Sequence, residues 1–196
     1  MDSLQDHFLI AMPSMKDGIF ERSVVYICEH NPEGAMGIII NHPVNISLDE
    51  LLAQTVKAEV ETETEKKIEI ETDNDTINKP VFKGGPVAED RGFVLHSVYP
   101  GFSSSLQISD KLMITSSLDV LATLGTEQQP DNYMVALGYS GWSKGQLEQE
   151  IADNSWLTVN ADPNILFHVP IKQRWEQAVQ KIGIDISQLS SEVGHS

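Results

Sequence analysis

Apolar runs and alternations along this chain predict many short strands broken by a few helices. Phe8–Ala11 is an apolar run closed by Pro13 and reads as a first strand. Ser23–Cys28 (SVVYIC) is rich in β-branched and aromatic residues, and Met36–Ile40 (MGIII) repeats that character, so both read as buried strands. His30-Asn31-Pro32-Glu33-Gly34 between them is turn chemistry, which makes the pair a hairpin with a five- or six-residue connection. Asn41-His42-Pro43 ends it, because proline lacks a ladder donor and restricts the residue before it. Val81–Lys83, Gly92–Ser97, Gln107–Ser109, Leu112–Thr115, Tyr133–Leu137 and Trp156–Val159 continue the series, and Ile165–His168 is a further candidate.

Helix signals are fewer. Ser47 and Glu50 form a capping box that opens a short helix to about Gln54. Ser117 caps Leu118–Leu124, which Gly125 ends. Ser143 and Gln146 make a second box for a helix from about Lys144 to Asp153. Pro170 suits a helix start, Ile171, Trp175, Ala178, Val179 and Ile182 mark one apolar face, and Gly183 is the stop. Seven or eight strands with three or four helices, in no βαβ rhythm, favour an α+β fold or mixed sheet over a doubly wound parallel one.

Residues 57–79 break the pattern. Lys57–Asn78 carries eight acidic residues, no aromatic and no glycine, so it reads as a solvated insertion with at most a marginal edge strand at Lys67–Glu71. Residues 188–196 read as a frayed tail, and no internal repeat is visible. A chain of 196 residues is most simply one domain, residues 1–196.

Charge narrows the partners. Thirteen Lys and Arg against 29 Asp and Glu give a formal charge of −16. Such an excess repels phosphate backbones and anionic lipid, so direct nucleic-acid binding and membrane association are disfavoured, and a protein or small molecule is the expected partner. The single cysteine, Cys28, excludes an internal disulfide and a cysteine-built zinc site and fits a reducing compartment. Asp2 and Asp6 stand where a signal peptide would be positive, and the apolar run Phe8–Met12 is too short for one. The expected location is cytoplasmic.

The strongest candidate chemistry is the glycine-rich corner Gly138-Tyr139-Ser140-Gly141-Trp142, expected between a strand and a helix. It is similar to a nucleophile elbow, in which a tight turn exposes a serine. Here Trp142 replaces the last glycine, and the helix opens only at Ser143, so a structural bend is the plainer reading. Gly84-Gly85-Pro86 would let a backbone approach a phosphate but lacks the P-loop Lys-Ser/Thr and the spacing of a dinucleotide fingerprint, and a tight turn setting up the next strand is the plainer reading. Cys28 and His30 alternate onto one strand face as a possible thiolate–imidazole pair, against the plainer reading of Cys28 as a small hydrophobe. Arg22 or Arg91 suits a carboxylate ligand, or a structural pair with Asp17 or Glu89. Six scattered histidines, His96 among them, show no chelate spacing, and no cofactor or metal is implied. The expected contact surface is therefore Arg22, Gly84, Gly85, Arg91, His96, Tyr139, Ser140 and Trp142.

Five blocks carry a resemblance: FLIAMPSMKDGIFERSVVYICEH, GAMGIIINHP, FKGGPVAEDRGFVLH, ALGYSGWSKGQLEQEIADNSWL and FHVPIKQRW. In that order, from Phe8 to about Gly183, they resemble the AlgH/YqgE family of bacterial proteins. The resemblance implies a single α+β domain whose bulged mixed sheet curls into a pseudo-barrel with flanking helices. It implies no catalytic residues, and the family's molecular function is largely uncharacterised. Three functions follow: a non-enzymatic protein binding a partner or small ligand; a hydrolase or transferase using Ser140 or Cys28; and a transcriptional regulator, the label some members carry, acting indirectly rather than on DNA.

Overall fold

A computed structural model describes residues 2–60 and 79–184, with residue 189. Among these, ten strands form one curled sheet of mixed direction, flanked by five α-helices. The strands are β1 (His7–Ala11), β2 (Val24–Asn31), β3 (Gly34–Ile39), β4 (Pro43–Ser47), β5 (Pro80–Lys83), β6 (Val87–Ser97), β7 (Ser105–Gln107), β8 (Leu112–Thr115), β9 (Tyr133–Ser143) and β10 (Trp156–Asn160). The helices are α1 (Leu48–Val60), α2 (Leu118–Leu121), α3 (Gln146–Ala152), α4 (Pro163–Phe167) and α5 (Arg174–Ile182), with a 3₁₀ turn at Ile171–Gln173 before α5. The order β10-β1-β2-β3-β9-β6-β8-β7 is antiparallel throughout, and β5 joins it parallel to β9 with β4 outside it. The α+β class with a bulged, curled mixed sheet is thus observed.

Both faces of β1 and of the first part of β2 are buried, which explains why these strands read as apolar runs rather than alternations. On the inner face Phe8, Ile10, Tyr26, Cys28 and Ile38 pack with Trp175, Ala178 and Val179 of α5. On the outer face Leu9, Val25, Ile27 and Ile39 pack with Trp142, Leu147 and Trp156. One carboxylate oxygen of Glu150 accepts from both indoles there, Trp142 Nε1 at 2.9 Å and Trp156 Nε1 at 2.8 Å. Leu48 of α1 and Val120 of α2 cover Val81, Val94 and Val135 on the remaining outer surface.

Several boundaries differ from expectation. The β2–β3 strands continue to a two-residue turn, Pro32-Glu33, because Asn31 and Gly34 still pair. Pro43 does not stop the chain there; it begins β4, at the margin where a missing N–H is tolerated. The Ser47–Glu50 box forms, with Glu50 N–H donating to Ser47 Oγ and Ser47 N–H to Glu50 Oε2. Its helix runs on to Val60 rather than Gln54, taking in the first residues of the acidic stretch. The suggested edge strand at Lys67–Glu71 lies outside the described residues. Strand β7 falls two residues before Gln107–Ser109, and α2 ends at Leu121. Helix α3 starts at Gln146, whose side chain accepts from Ser143 N–H, and Gly145 supplies a left-handed N-cap. Ile165–Phe167 is helical, not extended, with His168 at its C-cap, because Asp162 Oδ1 caps Asn164 N–H and Pro163 fills the first turn.

The largest correction concerns the glycine-rich corner. It is not a turn: β9 runs unbroken from Tyr133 to Ser143. Its first half pairs with β5 on one side and β6 on the other; its second half pairs with β3 on the side β5 has left. Gly84-Gly85-Pro86 carries the chain from β5 across β9 to β6, backbone against backbone. A Cβ on Gly84 would sit 2.2 Å from Gly138 O, and one on Gly85 2.2 Å from Tyr139 C. Gly138, at φ 71°, needs a conformation that favours glycine. Gly84→Ala or Gly85→Ala is therefore expected to destabilise the fold by about 3 kcal/mol or more, while Gly92→Ala, with open space around it, stays within about 0.5 kcal/mol. Urea denaturation of the three variants measures this.

Candidate functional site

The chain crossing shapes the next stretch of sheet. Val87 opposes Tyr139 and Gly92 opposes Leu137, so four β6 residues, Ala88–Arg91, bulge out against Gly138 alone. The bulge brings Arg91 to the rim of the sheet's inner face. Helices α4 and α5 fill that face at one end. At the other end a groove of about 880 Å³ remains, crossing β2, β3, β9, β6, β8 and β7 in spatial order. Met36, Phe93, Ile114 and Tyr139 make its apolar floor, with Phe93 and Tyr139 edge-to-face at 5.7 Å. Val87 and Leu106, exposed at 39% and 43%, also line it.

The groove is polar along its rims. Glu29 and Glu33 stand on one lip. Arg91 and Ser103–Ser105 with Ser116 line the opposite wall, where Arg91 Nη2 donates to Ser116 Oγ at 3.1 Å. Behind the serines lies Asp119, which accepts from the Ser103 amide and hydroxyl at 2.8 Å and from the Ser117 hydroxyl. Burial alone would raise its carboxyl, but these donors and the Val120 amide outweigh it and hold Asp119 below the usual carboxylate range. An ionised Asp119 thus anchors the Ser103–Ser105 segment.

A hydrogen-bonded chain runs from the groove into the core. Ser105 Oγ lies 2.7 Å from Thr115 Oγ1, and Thr115 Oγ1 lies 2.7 Å from His96 Nε2. His96 Nδ1 lies 2.8 Å from Ser97 O and must donate to it, so Nε2 accepts and the threonine donates. His96 is fully buried, and burial pushes its pKa below the ordinary value despite the Ser97 carbonyl.

The expected contact residues separate in this geometry. Arg91, Tyr139 and Trp142 line the groove. The Trp142 indole is itself committed to Glu150 and to Phe20 and Trp156 on the outer side. Ser140 is fully buried and donates to Gly84 O at 3.1 Å, so it is a tie across the chain crossing rather than an exposed nucleophile. Gly84 and Gly85 belong to the same crossing. Arg22 lies elsewhere, with its guanidinium 4.4 Å above the Trp175 ring and 3.9 Å from Glu176. His96 reaches the groove only through Thr115 and Ser105.

The proposed Cys28–His30 pair does not form. A register shift between Ile27 and Glu29 inverts the alternation of β2, so Cys28 packs inward beside Tyr26 while His30 turns to the outer side. There His30 Nδ1 accepts from Leu4 N–H at 2.8 Å and Nε2 lies 3.0 Å from Glu148. Cys28 is fully buried, and burial pushes its thiol far up. Sequence reading passed over Ser103–Ser105, Glu29 and Met36. The run of three serines was visible, but nothing local tied it to a concave face assembled from six strands.

A sequence-family model described as AlgH-like matches residues 8–187. The chain belongs to the AlgH-like family. It is 50% identical over 194 residues to a UPF0301 protein of Vibrio cholerae and 54% identical to one of Pectobacterium carotovorum, covering 99% of this chain and 100% of each relative. The solution structure of the AlgH protein from Pseudomonas aeruginosa matches with a TM-score of 0.76 at 38% identity, over 99% of this chain and 96% of that one. A crystal structure of a Corynebacterium diphtheriae protein, 17% identical with a TM-score of 0.67, shares the fold over 92% of this chain and 87% of its own. Membership in the AlgH-like family settles the fold and leaves the chemistry to the geometry.

The buried imidazole of this AlgH-like chain carries a pH signature. Unfolded histidine takes up a proton as pH falls through about 6.5, whereas folded His96 resists it, so the unfolded state binds more protons and stability falls on acidification. His42, lowered mainly by burial, acts in the same direction. Unfolding free energy measured in urea is expected to drop between about pH 7.5 and 5.5. His96→Asn is expected to lower stability at pH 7.5 and to make that slope shallower.

Proposed function

We propose that this chain is a non-enzymatic, cytoplasmic binding protein that holds an amphipathic ligand or partner segment in the groove. The observation that carries this reading is the unfilled end of the sheet's inner face, where Phe93, Tyr139, Met36 and Ile114 form an apolar floor beneath a cation and a row of hydroxyls. Its volume falls within the ~300–1,000 Å³ of small-molecule sites. The apolar part of the ligand lies on the floor, and a polar or anionic end meets Arg91, Ser104 and Ser116. Any regulatory role then acts through what the groove binds rather than through DNA, in keeping with the net charge of −16. Anilinonaphthalene sulfonate, an apolar anion, tests the groove directly. Saturable one-site fluorescence binding to the native protein, weakened about tenfold or more by Leu106→Glu, is expected, since a buried charge opposes apolar burial. No binding by the wild type, or equal binding by a folded Leu106→Glu protein, refutes the assignment.

One observation favours a second reading, a hydrolase or transferase. It is the Ser105–Thr115–His96 chain, which puts a hydroxyl at the groove linked through a threonine to an imidazole. Ser140 and Cys28, the nucleophiles first considered, are both fully buried. Against catalysis, His96 is held neutral and faces the Ser97 carbonyl rather than a carboxylate. A fluorophosphonate probe is expected to leave Ser105 unlabelled. Stoichiometric labelling lost in Ser105→Ala would favour the enzyme.

A further inference from the structure

Granted that the groove is where this chain binds its partner, we propose that the exposed edge of β7 takes up one strand of an extended, basic peptide segment. The sheet ends at β7 on this side. Ser116 N–H donates to Ser104 O, and Ile108 N–H donates to Leu112 O. Bonded and non-bonded pairs alternate along an antiparallel ladder. The pair midway between these two, Leu106 with Ile114, is therefore a bonded one. Ser105 and Gln107 take the non-bonded positions, so their N–H and C=O groups point away from β8. The hydrogen bonds these two residues make among the described residues run through their side chains, to Phe102 O, Thr115 Oγ1 and Ser109 O.

An unpaired strand edge is a template for one more strand. Proteins blunt such edges with a lysine, a proline or a bulge, and Ser105-Leu106-Gln107 carries none of these. All three residues are exposed, whereas at the opposite margin of the sheet four of the five β10 residues are buried or half-buried. Leu106, 43% exposed, shares a face with Ile114, its cross-strand partner on the groove floor. A strand bonded to Ser105 and Gln107 turns the side chain opposite Leu106, and those two positions away, toward the groove. An apolar side chain opposite Leu106 covers it there. Backbone pairing supplies affinity, and the groove-facing side chains supply the choice of sequence.

Charge selects a second groove-facing position. Across the groove, exposed Glu29 shares the inner face with Met36, its partner in β3. Glu33 on the same lip lies 3.7 Å from Lys144 Nζ. Glu29 accepts from Asn31 Nδ2 and has no cation beside it among the described residues. A Lys or Arg facing the groove meets this carboxylate, and the net charge of −16 draws basic segments in from a distance. The occupant is thus an extended segment with an apolar and a basic residue on one face.

A phage-displayed library of random twelve-residue peptides is panned on the full chain, and the most enriched peptide is synthesised. Expected sequences carry an apolar and a basic residue an even number of positions apart. Hydrogen exchange followed by NMR reads the edge directly. The Ser105 and Gln107 amides should exchange about tenfold or more slowly with the peptide bound. Gln107→Pro removes one outward N–H without touching the β8 ladder and should weaken the peptide about tenfold. Glu29→Gln should weaken it about threefold, the worth of one exposed ion pair. If Gln107→Pro does not fold, the exchange measurement on the unaltered chain decides. A peptide that binds without slowing those two amides overturns the proposal, as does equal binding by a folded Gln107→Pro protein. Binding unchanged in Glu29→Gln overturns the choice of a basic segment. Enrichment of no peptide overturns the whole, and anilinonaphthalene sulfonate binding then shows separately whether the groove still stands as a site.

Discussion

Gly84 and Gly85 lie directly on the backbone of Gly138–Ser140, and this contact decides the layout of the sheet. Strand β9 runs eleven residues, and no single neighbour pairs with it along the β5 side. There β5 serves the first half and β3 the second. The chain leaving β5 must therefore clear the way for β3 and reach the opposite side of β9 to become β6. It does so over the top of β9 with no room for a side chain on either glycine. Gly84 O then accepts from Ile39 N–H and from Ser140 Oγ, joining β3, β5 and β9 at one point. The hydroxyl that looked like a nucleophile is a fastener for this junction.

The groove follows from that junction. Once β6 starts at Val87 beside Tyr139, its next residues have no length of β9 to pair with, and Ala88–Arg91 bulge outward. The bulge lifts Arg91 to the rim and leaves Tyr139 and Phe93 facing inward beneath it. At the far end of the same face, Trp175 of α5 fills the curl and donates its indole N–H to Ala11 O. One sheet face is thus divided into a filled end and an open end. Two exposed apolar side chains, Val87 and Leu106, lie at the open end, where burial by a ligand is worth the most.

Much of the fold was legible in the chain. Apolar runs marked β1, β3, β8 and β10 within a residue or two and β2 at its start, though β2 runs on three residues past Cys28. The α5 face was legible because Trp175, Ala178 and Val179 recur at helical spacing. Helix α4 was missed because Ile165–Phe167 is a short apolar run that periodicity alone cannot assign; Asp162-Pro163 was the discriminating signal. The site was less legible than the fold. Alternation placed Cys28 and His30 on one face, and a bulge that sequence does not announce put them on opposite faces. The Gly84-Gly85 pair pointed to close backbone approach, but what it approaches is the chain's own backbone at Gly138 and Tyr139.

Local geometry sets the electrostatics of the groove in a way that net charge could not. At −16 the molecule as a whole repels anions. Long-range repulsion of that kind is screened within about 8 Å at physiological salt, whereas a cation inside an apolar cavity is screened much less. Local geometry therefore outweighs net charge in the groove. In the groove Arg91 is exposed and Glu29 and Glu33 stand across from it, so its pull on an anion is weak, and on the binding role we propose the apolar floor would supply most of the affinity. Salt should consequently weaken binding in the groove little, because that binding is mainly apolar.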